Sequence, residues 1–308
     1  MQTVVVSRFG GPEVLQPREA PEPQPGPDQV VVDVWVAEVL FLDTQLRAGW
    51  GQDYFPMRPP FVPGTGVGGL VGDRRVVART GDQGGYAERV VVPADEAIDV
   101  PEGVELDVAL AALHDGVLAQ HRLAHARLTP GSRVLVTAAA GSLGHWFVPL
   151  AAAAGATVVA AAGGPRKVRV ARELGAAVAV DYREPGWVRG TGGRFDVVFD
   201  GVGGAIGRAA LSATADGGRF YAHGAARGDF APRQAERDIE IIGVEQRIGD
   251  GEWRRLIRTG LDLLAAGRVR PAIGQRVPLP QAAHAHAAIA DRGVVGKTVL
   301  TIRERSRS

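Results

Sequence analysis

The chain has 308 residues, with 35 Lys and Arg against 34 Asp and Glu, and 45% of it is hydrophobic. A near-neutral chain without a basic stripe offers no electrostatic footing for nucleic acid or an anionic membrane surface, and the absence of cysteine excludes disulfides, a thiolate nucleophile and thiolate-bound zinc. The start, MQTVVVSRFGG, lacks a long apolar core and the Ala-rich run 150–156 is too short to span a bilayer, so the expectation is a cytoplasmic protein with no membrane partner.

The first hundred residues predict β structure. VVVSRF (4–9), QVVVDVWVAE (29–38), RRVVAR (74–79) and YAERVVVP (86–93) are β-branched runs punctuated by Gly, Pro and Asp. The proline-rich PEPQPGPDQ (21–29) reads as a loop inside a domain. DTQLRAG (43–49) predicts a short helix with Asp43 as N-cap and Gly49 just past its end. Residues 104–128 are helical in period, with a break near Gly116. Strands at 132–138, 156–162, 176–182, 195–201, 217–224 and 239–244 then alternate with helices at 145–154, 165–174 and 205–214. Fully apolar strands alternating with helices indicate a parallel sheet covered on both faces. The end reverts to a helix (253–267), a strand at RVPL, a helix (281–291) and the strand KTVLTI (297–302). The fold expected is therefore α/β: a β-rich domain (1–116) interrupted by a doubly wound domain (117–255) and completed by the tail (256–308).

VTAAAGSLGH (136–145) lies between a predicted strand and a predicted helix, where a dinucleotide-binding turn belongs. Gly141 and Gly144 keep the last two spacings of G-x-G-x-x-G, although alanine holds the earlier turn. Residues Ala140, Gly141, Ser142, Leu143 and Gly144 would cradle a pyrophosphate at a helix start. An NAD site wants an acid about twenty residues on. None occurs between Gly144 and Glu173; Gly163 and Gly164 leave space instead, and Arg166 and Lys167 bring two cations. Two cations suit a 2′-phosphate, so the cofactor expected is NADPH.

The order FGGPEVL, D-x-Q-x-R-A-G, PGTG, GDRRV, GGYAE, VVPA, AAAGSLG, ELGA, VDYRE, DVVFDGVGG and VVGKTVL resembles the medium-chain dehydrogenase/reductase superfamily over essentially the whole chain. Within it, the pattern is similar to the zinc-independent quinone oxidoreductase group. The resemblance implies a GroES-like catalytic domain holding a Rossmann insert, with the nicotinamide in the cleft between them. It implies cofactor contacts at Gly141 to Gly144, at Gly164, Lys167 and Tyr182, and in the loop Asp200, Gly201, Val202, Gly203. Tyr182 reads equally well as an ordinary strand-end aromatic. The family usually writes G-V-N-x-x-D-x-Y where this chain has Glu38 to Gln45, so Leu40 replaces Asn and Gln45 replaces Tyr. A Thr common in the family is also missing after Gly116, and the segment 64–72 runs almost directly into Asp73 where the family inserts a longer hairpin.

The substrate-pocket candidates are Leu40, Gln45, Tyr54 and Asp115. The catalytic residue stays open among Asp43, Gln45 and His114: Asp43 is a cap or a proton donor, and the His114–Asp115 pair shuttles a proton or merely ends a helical turn. His223 and Gly224, after the fifth strand, belong to the cofactor side. His121 and His125 read as a solvated helix face and His284 and His286 point to different faces, so no metal is expected. Together these residues lead to the expectation of an NADPH-dependent reductase of a hydrophobic enone or quinone, with a biosynthetic intermediate among the candidates. The rival expectation is an NADPH-binding protein without redox turnover, or a non-redox enzyme on the same fold. The apolar strand 239–244 at the sheet edge predicts a homodimer.

Overall fold

The computed structural model describes residues 1–53, 55–224, 230, 234, 235, 237–244 and 246–303; the pocket candidate Tyr54 lies outside them. The chain divides into two compact units, one of Met1–His114, Ile257–Gly267 and Pro271–Ser308, the other of Asp115–Leu256 and Arg268–Arg270.

The first unit opens with β1 (Gln2–Val6) and β2 (Leu15–Glu19), an antiparallel pair, and then β3 (Gln29–Val39) and α1 (Phe41–Ala48). It continues through β4 (Gly66–Val71), β5 (Arg74–Arg79), β6 (Arg89–Pro93), β7 (Ile98–Asp99) and α2 (Leu106–Ala109). In β3, Val32, Val34 and Val36 point inward while Asp33 and Trp35 face the other way, the period of two that a half-buried strand imposes. The hairpin from β4 to β5 closes on Gly72 and Asp73, the shortest loop that joins antiparallel strands, with Val71 opposite Arg74.

The second unit holds α3 (Asp115–Ala126), β8 (Arg133–Thr137), α4 (Gly144–Ala153), β9 (Thr157–Ala162), α5 (Pro165–Glu173) and β10 (Val178–Asp181), followed by β11 (Phe195–Asp200), α6 (Gly204–Ser212), β12 (Thr214–Ala222) and β13 (Ile239–Ile242). Its six strands are parallel, in the order β10-β9-β8-β11-β12-β13. That is the 3-2-1-4-5-6 order of a doubly wound sheet, whose direction of winding reverses between β8 and β11. Leu135, Val159, Phe195, Val198 and Phe220 fill its core, so these strands read as unbroken apolar runs. β13 lies at one edge of the sheet, as the sequence predicts.

The residues of α7 (Asp250–Ala265) are divided between the units, and β14 (Ile273–Pro278), α8 (Ala282–Ala290) and β15 (Lys297–Thr301) return to the first. β15 pairs antiparallel with β3, setting Val299 opposite Glu38 and Leu300 opposite Ala37. The tail thus completes the sheet that the first forty residues begin.

Two expectations are corrected. The short helix spans 41–48, and its N-cap is Leu40 rather than Asp43. Asp43 sits one turn in, its carboxylate accepting the Leu40 N–H at 2.8 Å, so it still satisfies a helix-start donor but from inside the first turn. The break in 104–128 falls at Leu113 and His114, and Gly116 lies inside α3.

Candidate functional site

The glycine turn joins β8 to α4. Ala138 adopts a left-handed conformation (φ 51°), which costs a β-carbon-bearing residue about 1–2 kcal/mol. The Gly141 N–H donates to the Ala138 carbonyl at 2.8 Å, closing the turn without the earlier glycine. Gly144 is obligatory, because a Cβ there would stand 2.7 Å from the Ala139 Cα. The Ser142 hydroxyl donates to the Asp115 carboxylate at 3.0 Å, and His145 Nδ1 lies 2.8 Å from the Gly141 carbonyl. Burial pushes the His145 imidazole pKa down, so the turn gains no charge from it. The open N–H groups of a helix start here face the switch point of the sheet, the place a pyrophosphate takes in this architecture.

Across the switch point, Asp200 ends β11 and is buried. Its carboxylate accepts the Thr137 hydroxyl at 2.6 Å and the N–H groups of Val202 and Gly203 at 3.1 and 3.0 Å. The Gly201 N–H donates to Thr137 Oγ1 at 3.0 Å. Burial raises the Asp200 pKa against those hydrogen bonds. Asp200 therefore works as a clasp that holds the loop 201–203 against the end of β8. The N–H groups of His223 and Gly224 reach the same residue's carbonyl, at 3.1 and 3.0 Å.

At the end of β9, Tyr182 and Arg183 cover the two glycines. A Cβ at Gly163 would lie 2.9 Å from the Tyr182 hydroxyl oxygen, and one at Gly164 would lie 2.8 Å from Arg183 Nη2. The register of β10 on β9 sets Asp181 beside Ala162. Arg183 grips Asp181 through Nε at 3.1 Å and Nη2 at 2.8 Å, and Asp181 also accepts the Gly164 N–H at 3.0 Å. Arg183 above all, with those N–H bonds, holds the Asp181 carboxyl down at about 2. Arg166 is exposed and Lys167 half-buried in the first turn of α5. Three cationic side chains thus belong to a segment whose carboxylate is already neutralised.

His223 follows β12 and lies against Phe147, ring centroids 5.4 Å apart. Burial first, then the nearby Arg122 charge, brings its imidazole pKa down to about 3, so it is neutral at physiological pH. Its Nδ1 has no hydrogen-bond partner among the described residues.

The catalytic and pocket candidates of the first unit gather around α1 and the end of β3. Leu40 and Gln45 are half-buried, and the Gln45 amide donates to Thr44 Oγ1 at 3.3 Å. Asp43 is shut from solvent, 3.4 Å from the Tyr86 hydroxyl, which also lies 3.0 Å from His286 Nε2. Burial raises the Asp43 pKa to about 7. His114 directs Nδ1 at the carboxylate of Glu38, whose other oxygen lies 2.7 Å from Lys297 Nζ. Burial works against the Glu38 charge, yet His114 and Lys297 outweigh it and hold the carboxyl at about 2.

Residues 174–300 match a family model described as a zinc-binding dehydrogenase. The chain is 30% identical to a 2-haloacrylate reductase of a Burkholderia species, over 97% of this chain and 98% of that one. This chain belongs to the quinone oxidoreductase-like group of medium-chain dehydrogenases/reductases. A quinone oxidoreductase of Pseudomonas aeruginosa is 29% identical over 95% of this chain and 97% of its own. Among solved structures, the quinone oxidoreductase of Thermus thermophilus, determined alone and with NADPH, is 34% identical. It superimposes with a TM-score of 0.87 over 98% of this chain and all of that one.

Membership of the quinone oxidoreductase-like group fixes the architecture as a Rossmann sheet inserted in a β-rich GroES-like domain. The family model's description mentions zinc, but this member has no cysteine, and among the described residues no three His, Asp or Glu side chains converge. His125 is engaged by the Tyr221 hydroxyl at 2.7 Å, and His286 by Tyr86. Among the described residues no helix is long and apolar enough to cross a membrane. Sequence reasoning did not single out the buried Glu38–Lys297 pair, nor Arg183 lying over Gly164. Arg183 follows directly on Tyr182 and was within reach of the pattern; the Glu38 partners were not.

Proposed function

We propose that this protein is an NADPH-dependent reductase acting on an electron-poor carbonyl compound, an enone or a quinone. The observation that carries the reading is the end of β9, where Gly163 and Gly164 replace the ribose-binding acid. The one carboxylate placed against Gly164, Asp181, is consumed by Arg183. A bare 2′-hydroxyl finds no free acceptor there, whereas a 2′-phosphate meets Arg166, Lys167 and Arg183. The glycine turn, the Asp200 loop and the end of β12 suit the rest of the nucleotide, in the order of Ala140 to Gly144, Asp200 to Gly203, and His223 with Gly224. The NADPH complex of the Thermus relative supports the same cofactor.

When bound, NADPH supplies a hydride to the electron-poor carbon of the substrate. The chain's own contribution is to hold the substrate beside Leu40 and Gln45 and to protonate the resulting anion. A hydrophobic substrate follows from Leu40 and Gln45, which give little hydrogen bonding; a biosynthetic intermediate of that kind fits. The names of the Burkholderia and Pseudomonas relatives favour an activated alkene or a quinone.

The same loss of donors at Leu40 and Gln45 favours a second reading, in which the protein binds NADPH without turning over. Direct titration with NADPH and NADH, alongside NADPH oxidation with a panel of enones and quinones, separates them. Turnover with any acceptor supports the first; tight NADPH binding with every acceptor inert supports the second.

A further inference from the structure

The near-neutral total of the chain conceals a division of charge. The first unit holds 15 Lys and Arg against 20 Asp and Glu, a net of −5, and the second holds 20 against 14, a net of +6. The two add to the +1 of the whole chain. The surplus is dense after β9. From Pro165 to Arg183 there are five cations, Arg166, Lys167, Arg169, Arg172 and Arg183, against two acids, Glu173 and Asp181. Asp181 is paired with Arg183 at 2.8 Å, so Glu173 alone opposes the other four.

Helix α5 carries those four in nine residues, Pro165–Glu173. Val168 and Ala171 form its buried side, which leaves Arg166, Arg169 and Arg172 exposed. The first turn has no acid and two cations, Arg166 and Lys167, at the end where the helix macrodipole is already positive. Like charge there destabilises the helix, and an arriving anion offsets it. Arg169 and Arg172 extend the charge away from that end. At 1.5 Å per residue they stand about 4.5 and 9 Å further along the axis than Arg166. Arg166 therefore lies between Arg169 and the helix start. Arg172, in the last turn, donates to the Ala179 carbonyl at 3.4 Å, a bond that fixes its charge without cancelling it.

We propose that Arg169 and Arg172 are steering residues: without touching the nucleotide, they extend the positive field of α5 and raise the association rate of NADPH over that of NADH. The proposal rests on the NADPH reading above and adds a kinetic part to that preference. Both nucleotides carry a pyrophosphate of about −2, and the 2′-phosphate adds about −1.5 to −2 more, so NADPH feels a given potential about twice as strongly. A field of this kind speeds encounter and leaves the docked contacts, and with them the dissociation rate, unchanged. Screening sets its range. The Debye length is about 30 Å at ~0.01 M salt, longer than α5 itself, and about 3 Å at ~1 M.

Stopped-flow mixing, read by the fluorescence of the dihydronicotinamide, gives association and dissociation rates for both nucleotides at ~0.01 M and ~1 M salt. The full-length wild type is compared with Arg169→Gln, with the Arg169→Gln, Arg172→Gln pair, and with the Arg169→Glu, Arg172→Glu pair. Circular dichroism checks the folding of each. At low salt the Gln pair should slow NADPH association about 3–10-fold and the Glu pair further, with NADH slowed by about the square root of each factor. Arg169→Gln, which leaves the bond from Arg172 to Ala179 in place, should show about half the effect of the Gln pair on a logarithmic scale. Dissociation rates should stay within about twofold, and the four proteins should converge at ~1 M salt. An NADPH association rate that the variants leave unchanged, a loss that falls on dissociation, or a loss that persists at ~1 M salt overturns the proposal. A wild type that binds NADPH no tighter than NADH overturns the NADPH reading itself, whatever the rates show.

Discussion

Gly66 has no side chain because Glu38 occupies its place. A Cβ at position 66 would fall against Glu38 Oε1, 2.9 Å from Glu38 Cδ and 2.8 Å from a methyl group of Leu113. The bareness of β4 and the buried carboxylate of β3 are therefore one feature. Gly66→Ala should drive the carboxylate off Lys297 and His114 at a cost of about 3–5 kcal/mol, the range for breaking a buried pair. Glu38→Gly should cost as much by removing the buried carboxylate that Lys297 faces at 2.7 Å, and the double variant should be no worse than Glu38→Gly alone. Urea denaturation of the four proteins checks this, and additive losses would contradict it.

Much of the fold is legible in sequence because the strands of both sheets carry their own burial pattern. RRVVAR is β5 residue for residue, and the apolar runs of 132–200 are the parallel strands β8 to β11. β4 is not legible. Gly66, Gly68 and Gly69 break any β-branched run, and only the backbone and side chains that crowd them show why a strand needs them there. The sequence places boundaries at 116 and 255, and the compact units divide after His114 and after Leu256. At the nucleotide end, the glycine turn and the Arg166–Lys167 pair are local signals. The Asp181–Arg183 clasp depends on β10 lying beside β9, and Glu38 depends on His114, 76 positions on, and on Lys297 near the far end of the chain. Spacing rules do not reach that far.

We propose that the cations beside Gly163 and Gly164 set the cofactor preference. Arg183→Ala should weaken NADPH binding about tenfold, the low end for a charge-assisted contact because the side chain is half exposed. The Arg166→Ala, Lys167→Ala pair should do at least as much, and NADH affinity should move less than about twofold in either protein. Fluorescence titration of both nucleotides reads the result; a parallel loss for NADH would place these side chains outside the 2′-phosphate site.

Asp43 makes stability fall with rising pH. Its carboxyl pKa is 3.8 in an unfolded chain and about 7 in the fold, raised by burial. Between those values the folded protein keeps a proton that the unfolded chain has lost, so this group's contribution declines from about pH 4 and levels off above about 7. Glu38 acts in the opposite sense, its contribution being lost as pH falls from 4.5 to about 2. Asp43→Asn retains an oxygen for the Leu40 N–H and has no proton to lose. It should match the wild type near pH 4 and exceed it at pH 8 by an amount on the order of 2–4 kcal/mol. Denaturation at both pH values tests the sign, and a difference independent of pH would refute it.

The strand β13 is proposed as a dimer interface. Ile239 and Ile241 pack partly on the core of the second unit, and the strand carries neither Pro nor Lys on its free edge. Edge-to-edge pairing about a two-fold axis would join two sheets into one. Light scattering should find a dimer at micromolar concentration, and Ile241→Pro, checked for folding by circular dichroism, should shift it to monomer. A wild-type monomer would remove the proposal; a dimer unchanged by the substitution would move the interface elsewhere.

Elemental analysis should find no stoichiometric zinc, since neither pair of histidines on α3 and α8 has a third ligand beside it among the described residues. Chelator-treated protein should keep its activity; zinc bound one to one, with activity lost on its removal, would contradict this.

The central claim is reduction at the expense of NADPH, and isotope transfer tests it most directly. The purified protein is incubated with NADPH deuterated at the transferable C4 position and a panel of enones and quinones, and the products are analysed by mass spectrometry. One deuteron per molecule of reduced enone, placed on the β-carbon, with NADH far less effective as donor, is the predicted result. NADPH bound tightly with no enone or quinone reduced, or a reduced enone without deuterium, would contradict it.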